Sequence, residues 1–90
     1  MDLQDLRLQI DKIDRGLVRL LCRRMDICAE IARHKRERNI PVYDPARERQ
    51  KLRELSGKAG EGRAAYIAAL YSLLFELSRA EQERIIGEGE

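Results

Sequence analysis

The fold is decided by residues 3–31, LQDLRLQIDKIDRGLVRLLCRRMDICAEI. Apolar side chains recur there at steps of three and four residues, the spacing that places them on one face of an amphipathic helix. This apolar stripe consists of Leu3, Leu6, Ile10, Ile13, Leu17, Leu20, Ile27 and Ile31. No proline interrupts the stripe, and the residue before Pro41 is disfavoured in the α conformation. The pattern therefore predicts one long helix over about 2–38.

Two shorter helices are expected after it. Asp44 and Pro45 are residue types favoured at the N-cap and the first position of a helix, so a second helix is predicted over about 44–56. Three glycines within residues 56–62 indicate a flexible connector. A third helix is predicted over about 63–85, followed by a frayed tail at 87–90. Because no alternation typical of strands is present, residues 1–90 are predicted to form a single all-α domain.

The length of the first helix bears on assembly. About 37 residues at about 1.5 Å per residue span about 55 Å. A compact domain of 90 residues has a diameter of only roughly 30 Å. The helix must therefore extend beyond a monomeric core and leave part of its apolar stripe in water. We expect an intertwined homodimer in which the two long helices pack together.

Composition argues against two classes of partner. The 18 basic and 16 acidic residues nearly cancel to a net charge of +2, which disfavours a polyelectrolyte such as nucleic acid. No run approaches the roughly 20 apolar residues that a membrane helix needs, and no signal peptide is recognised. We therefore expect no nucleic acid or membrane partner and a cytoplasmic location.

Metal and nucleophile chemistry are not indicated either. Cys22 and Cys28 are six residues apart, which is about 240° around a helix, so they cannot pair or share a metal ion. His34 is the single histidine. The sequence therefore predicts no metal site and no Ser-His-Asp arrangement within one chain.

Cationic residues that interrupt the apolar stripe point to a binding site. Arg24 occupies the next position of the stripe after Leu20, and Lys35 follows eleven residues later. The two lie about 20° apart around the helix and about 16 Å apart along it. Two long cationic side chains at this separation can enclose a small anion. Alternatively, Arg24 pairs with an acidic side chain of a neighbouring helix and Lys35 is solvated.

The third helix carries two polar residues on its inner face. Ser78 and Gln82 continue the row of Ile67, Tyr71 and Leu74, and thereby place a hydroxyl and a carboxamide among apolar neighbours. A serine near a helix end often bonds only to its own backbone. Together with cations from another helix, however, the pair predicts a polar pocket inside a helical bundle.

Three further charged residues are candidates for the same pocket. Arg47 and Glu48 open the second helix; Glu48 either accepts a hydrogen bond from a ligand hydroxyl or favours the helix N-terminus by its charge. Arg7 lies 17 residues from Arg24, about 25 Å along the same helix. We therefore expect Arg7 to reach the pocket of a partner protomer in an antiparallel pairing, so that the site assembles only in the dimer.

Five blocks of sequence carry a resemblance to a known family. They are Leu6-Arg7-x-x-Ile10-Asp11-x-Ile13-Asp14, Leu20-Leu21-x-x-Arg24-Met25, Glu30-Ile31-Ala32-x-x-Lys35, Pro41-Val42-Tyr43-Asp44-Pro45-x-Arg47-Glu48 and Ser78-Arg79-x-x-Gln82. In this order and spacing they resemble the all-helical chorismate mutases, over nearly the whole chain. The resemblance implies a cofactor-free pericyclic conversion of chorismate to prephenate in phenylalanine and tyrosine biosynthesis. It also implies a three-helix protomer in an intertwined dimer with two sites.

The resemblance further implies how the substrate carboxylates are bound. Arg24 and the partner's Arg7 would bind the two carboxylates, with Arg47 assisting. Ser78 would line the carboxylate end of the site.

The remaining roles that the resemblance implies concern the reacting atoms and the ring. Lys35 and Gln82 would donate hydrogen bonds to the ether oxygen, where negative charge grows as the C–O bond breaks. Glu48 would hold the ring hydroxyl, helped by the backbone at Asp44. Arg24, Lys35, Glu48 and Gln82 are thus the expected catalytic residues.

Two other functions are weighed against the mutase. An isochorismate-pyruvate lyase has the same fold and a similar basic pocket, but the segment Asp44-x-x-Arg47-Glu48 suits a ring hydroxyl in the chorismate position. A helical nucleic-acid-binding or coiled-coil module is suggested by the basic run at residues 33–38. The near-neutral charge, and aromatic residues limited to three tyrosines and one phenylalanine, argue against it.

Overall fold

The computed structural model describes residues 2–88 and contains three helices. They are α1 (Leu3–Arg38), α2 (Pro45–Lys58) and α3 (Ala64–Glu88). No strand occurs within these residues, so the prediction of an all-α fold is confirmed. α3 packs against both other helices and joins them into one layer.

Both ends of α1 are capped by local hydrogen bonds. The Asp2 carboxylate accepts a bond from the Asp5 amide at 2.9 Å, which satisfies one of the free N–H groups of the first turn. At the other end Asn39 adopts the left-handed conformation, with φ of 54°. This turn directs the Ile40 amide onto the Lys35 carbonyl at 2.9 Å. The helix therefore ends at Arg38 through an asparagine cap, before Pro41 constrains the chain.

α2 begins as predicted and ends later than predicted. The Asp44 side chain accepts from the Arg47 amide at 3.0 Å, and Pro45 takes the first helical position. The helix continues to Lys58 instead of ending near 56, and it includes Gly57. An ion pair between Lys58 and Glu54 at 3.4 Å spans this last turn, and such a pair offsets part of the cost of a helical glycine.

α3 also runs further than predicted. It reaches Glu88 instead of ending near 85, and the Arg84 guanidinium pairs with Glu88 at 2.5 Å across the last turn. The prediction of a frayed tail was therefore wrong for Gly87 and Glu88. The rest of that tail, Gly89 and Glu90, lies outside the described residues.

The protomer is a layer about one helix thick. Its extents are 54 × 26 × 14 Å, and a helix with its side chains is about 10–12 Å across. The buried apolar residues are Cys28, Ala32 and Ile85, all from the region where the second half of α1 faces α3. Along the first half of α1, the stripe residues from Leu3 to Leu20 are 46–64% exposed. Within residues 2–88, nothing covers that part of the stripe.

Ala32 offers a test of the α1–α3 packing. It is fully buried, so Ala32→Leu forces extra volume between two helices and should lower the free energy of unfolding by about 1–3 kcal/mol. Urea unfolding at fixed protein concentration measures the change. The control is Ala65→Leu at an exposed position of α3, which should have little effect. Equal urea midpoints for the two variants would contradict this packing.

Candidate functional site

The three helices enclose a cavity of about 510 Å³ on one face of the layer. α1 and α3 form two of its walls, and α2 with the segment that leads into it forms a third. Seven of the eight residues predicted from sequence line it: Arg24, Lys35, Asp44, Arg47, Glu48, Ser78 and Gln82. The eighth, Arg7, is exposed near the start of α1 and does not line this cavity. The structure thus brings together residues that are distant in sequence.

Arg24 joins α1 to α3 at the floor of the cavity. Its Nη1 donates to the Ser78 hydroxyl and lies 4.0 Å from the Cys28 sulfur. The Ser78 hydroxyl in turn donates to the Leu74 carbonyl at 2.7 Å, so its lone pair is free to accept from Arg24. None of the ion pairs among residues 2–88 includes Arg24. The alternative in which Arg24 is neutralised by an acidic neighbour therefore has no support in the protomer.

Lys35 is half-buried and is held toward the cavity. Its Nζ donates to the Val42 carbonyl at 2.9 Å, which ties the end of α1 to the segment that leads into α2. An ammonium group has three N–H donors, so two remain after this bond. Lys35 is thus positioned to donate to a ligand and is not simply solvated.

Gln82 is buried and incompletely paired. It is only 7% exposed, and its Oε1 has no hydrogen-bond partner in the part of the chain that the structure describes. An unpaired buried amide oxygen costs about 1–3 kcal/mol, and such groups are few in folded proteins. Rotation of the carboxamide by 180° exchanges its oxygen and nitrogen, so Gln82 can present either end to a ligand.

Glu48 is held by an arginine to which sequence reasoning gave no role. Nη1 of Arg79 donates to both carboxylate oxygens of Glu48 at 2.5 Å. The Arg79 guanidinium carbon also lies 4.9 Å from the centre of the Tyr43 ring. The hydrogen bonds with Glu48 raise the pKa of Arg79, so the guanidinium stays charged. Besides placing a favourable charge at the N-terminus of α2, Glu48 therefore links α2 to α3 through Arg79.

Asp44 and Arg47, the remaining predicted residues near the start of α2, differ in their hydrogen bonding. Asp44 uses one carboxylate oxygen to cap α2. The Arg47 side chain is exposed and forms none of the hydrogen bonds or ion pairs among residues 2–88. Arg47 therefore remains available to an anion at the mouth of the cavity.

The charge of the cavity favours an anionic ligand. Five cationic residues line it, Arg24, Lys35, Arg47, Lys51 and Arg79, against two carboxylates, Asp44 and Glu48. One of those carboxylates is already paired with Arg79, and Lys51 lies 3.6 Å from Glu54 outside the cavity. The excess of positive charge in a concave site suits a small molecule with more than one negative group.

A second depression of about 550 Å³ lies between α2 and α3. We call it the outer groove. It shares Glu48, Phe75 and Arg79 with the cavity and is otherwise lined by other residues, among them Tyr43 and Arg49. The Glu48–Arg79 pair thus forms part of the wall between the two spaces.

Of the lining residues without a predicted role, three occupy sequence positions that contained a signal: Cys28, Lys51 and Arg79. Cys28 lies four residues after Arg24 and seven before Lys35, on the same face of α1. Lys51 follows Arg47 by one helical turn, and Arg79 stands inside the block that ends at Gln82. Among the described residues no cluster of three or more His, Cys, Asp or Glu side chains is arranged to hold a metal ion. No helix within residues 2–88 is both long enough and apolar enough to cross a bilayer.

Fold and cavity together define a helical protein with a cavity in which cationic residues outnumber carboxylates. The chain matches the family model described as chorismate mutase type II over residues 6–83. It therefore belongs to the type II chorismate mutase family, and the resemblance seen in the sequence is confirmed.

Individual relatives differ in size. The chain is 33% identical over 89 residues to a bifunctional chorismate mutase/prephenate dehydratase of Buchnera aphidicola subsp. Schizaphis graminum, covering 97% of this chain and 23% of that protein. It is 32% identical over 77 residues to a 3-dehydroquinate dehydratase of Pyrobaculum aerophilum, covering 86% and 23%. It is 27% identical over 89 residues to a chorismate mutase of Methanocaldococcus jannaschii, covering 96% and 89%. The chain thus spans about a quarter of the first two relatives and most of the third. No solved structure gives a significant match.

The two thiols test the geometry of the cavity. Cys22 is exposed, whereas Cys28 is buried in the cavity floor. Iodoacetamide should therefore alkylate Cys22 at least about tenfold faster than Cys28, as followed by mass spectrometry. The variants Cys22→Ser and Cys28→Ser show which alkylation rate belongs to which cysteine. Equal rates, or a faster reaction at Cys28, would contradict the placement of Cys28.

Proposed function

We propose that this protein converts chorismate to prephenate by a pericyclic rearrangement, as a chorismate mutase of aromatic amino-acid biosynthesis. The observation that carries the proposal is the set of cations Arg24, Lys35 and Arg47, which line one cavity without carboxylate partners among residues 2–88. Chorismate has two carboxylates, and family membership supports it as the substrate.

The proposed chemistry needs no covalent intermediate and no cofactor. Binding both carboxylates at a fixed spacing selects the folded conformation in which the bond-forming carbons approach each other. Arg24, fixed by Ser78, would bind one carboxylate, and Arg47 would assist at the cavity mouth. Because the substrate arrives as a dianion, the excess of positive charge would also favour its capture.

The reacting bond would lie between Lys35 and Gln82. Both line the cavity, Lys35 with free N–H donors and Gln82 with an unpaired carboxamide end. Hydrogen bonds from these groups to the ether oxygen would strengthen as the C–O bond breaks, so they would act mainly on the transition state. Glu48 would accept from the ring hydroxyl, with the backbone at Asp44 beside it.

We further propose that the active form is an intertwined homodimer with antiparallel α1 helices. The exposed stripe of α1 needs an apolar cover, and a second α1 provides one of matching length. Residues 11–14 carry two aspartates and one lysine, and residues 19–23, which precede the cavity residue Arg24, carry two arginines. Antiparallel pairing sets the acidic segment of one chain beside the basic segment of the other, whereas parallel pairing sets like charges together. Such a pairing also directs the partner's Arg7 toward the cavity.

The free thiols support a location for this reaction. An exposed Cys22 without a disulfide partner is typical of proteins in a reducing compartment, and we infer that the protein acts in the cytoplasm.

The activity is tested by the loss of chorismate ultraviolet absorbance on adding purified protein. Acid treatment of the product should yield phenylpyruvate, the reaction expected of prephenate. No loss of chorismate, from protein shown to be folded, would contradict the proposal. Turnover of isochorismate with release of pyruvate would then identify the lyase of the same fold.

Subunit complementation tests whether the site is shared. Arg7→Ala and Arg24→Ala should each lose most activity while remaining folded dimers by circular dichroism and sedimentation. After subunit exchange in equal amounts, about a quarter of the sites combine an intact Arg24 with an intact partner's Arg7, by two-fold symmetry. Activity should therefore return to about a quarter of the parent value. Arg24→Ala mixed with Lys35→Ala is the control, because both residues act within their own chain. No recovery in the first mixture would refute a shared site.

Gln82→Glu tests the donor to the ether oxygen. A protonated glutamate can donate a hydrogen bond, whereas a glutamate anion can only accept one and repels the developing charge. Activity should therefore be highest at low pH and fall as the new carboxyl loses its proton on raising the pH. The control is Gln50→Glu, which changes an exposed residue of α2 and should leave the pH profile as it is. A Gln82→Glu profile identical to the parent would exclude this role.

A further inference from the structure

Arg79 is anchored at three points between the cavity and the outer groove. Its Nη1 bonds both oxygens of Glu48, and its guanidinium lies over the ring of Tyr43. Both partners precede or begin α2, whereas Arg79 belongs to α3. The side chains of Arg79 and Glu48 are only 28% and 23% exposed. The arrangement therefore fixes the Glu48 carboxylate relative to Gln82, which lies one helical turn after Arg79.

We propose that Arg79 is a positioning residue for chorismate binding, and that it acts through Glu48. It orients the carboxylate that accepts the substrate hydroxyl, and its positive charge compensates the negative charge of Glu48 at the cavity wall. This proposal rests on the proposed function, because it takes Glu48 as the group that holds the ring hydroxyl.

The compensation of charge matters because the substrate is a dianion. A carboxylate without a cationic partner in the cavity wall repels both substrate carboxylates, and the repulsion is strong where water is partly excluded. With Arg79 in place, Glu48 retains lone pairs for a hydroxyl while its net charge is cancelled. Glu48 can then accept a hydrogen bond without weakening the attraction of the site for anions.

Arg79 differs in this respect from the cations expected to touch the substrate. Arg47 has no side-chain partner among the described residues, and Arg24 is bonded only to the neutral groups of Ser78 and Cys28. Arg79 is instead committed to a carboxylate and to an aromatic ring. Through Nη1 and the ring contact, Arg79 acts on the state of Glu48, and the double-mutant cycle below separates this role from a direct bond with the substrate.

The test compares Arg79→Gln with Arg49→Gln in the chain of residues 1–90. Arg49 stands next to Glu48 and lines the outer groove but not the cavity, so its replacement makes the same change in charge without affecting Glu48. Arg79→Gln should raise the KM for chorismate about tenfold with kcat changed by less than about twofold, since repulsion acts on bound substrate and transition state alike. Arg79→Lys, which restores the charge but not the planar contacts, should recover most of the KM. Arg49→Gln should behave like the parent.

A double-mutant cycle with Glu48→Gln decides whether Arg79 acts through Glu48. In the Glu48→Gln background, which lacks the negative charge, Arg79→Gln should change KM by less than about twofold. A tenfold rise in both backgrounds would overturn the proposal and show that Arg79 binds the substrate itself. If circular dichroism shows that Arg79→Gln does not fold, Arg79→Lys replaces it in the cycle. Arg79→Lys should then raise the KM by a smaller factor in the parent, and should leave the KM unchanged in the Glu48→Gln background. Absence of mutase activity in the parent protein would refute the proposed function itself. Failure of the proposed function can therefore be distinguished from failure of the proposed role of Arg79.

Discussion

A layer of three helices about one helix thick has two faces open to water, and this constraint governs the rest of the structure. The protomer has extents of 54 × 26 × 14 Å, and among residues 2–88 three apolar side chains are buried, all where α1 and α3 meet. A domain this small has little surface to bury even when compact. The apolar stripe along the first half of α1 therefore lacks a cover among residues 2–88, and this exposure is the reason for proposing a dimer.

The side chains whose hydrogen bonds join the helices also line the cavity. Arg24 connects α1 to α3 through Ser78, Lys35 holds the entry to α2 through Val42, and Glu48 connects α2 to α3 through Arg79. These polar contacts hold charged groups in fixed positions before a ligand arrives, which is the preorganisation that electrostatic catalysis requires. In this arrangement the buried Oε1 of Gln82 has no hydrogen-bond partner among residues 2–88, which lowers the stability of the fold.

The three helices could be predicted because their signals are local: a period of apolar residues, Asp44 with Pro45, and glycines in the connector. The ends at Lys58 and Glu88 were missed because glycine was taken to end each helix, whereas α2 and α3 continue through Gly57 and Gly87, where ion pairs offset part of the cost of glycine. The grouping of Arg24, Lys35 and Gln82 followed from helical faces together with the family resemblance. The bond between Glu48 and Arg79 spans 31 positions and two helices, so no local pattern contains it.

We propose that the site is complete only when two chains share it. Specific activity should be measured against protein concentration, with sedimentation velocity on the same samples to determine the fraction of dimer. We predict that the turnover of chorismate per chain falls on dilution in proportion to the fraction of dimer. When the diluted protein is concentrated again and the dimer re-forms, the turnover per chain should return to its original value. Full turnover by a monomer that sediments as a single 10.5 kDa chain would show that one chain suffices and would contradict a shared site.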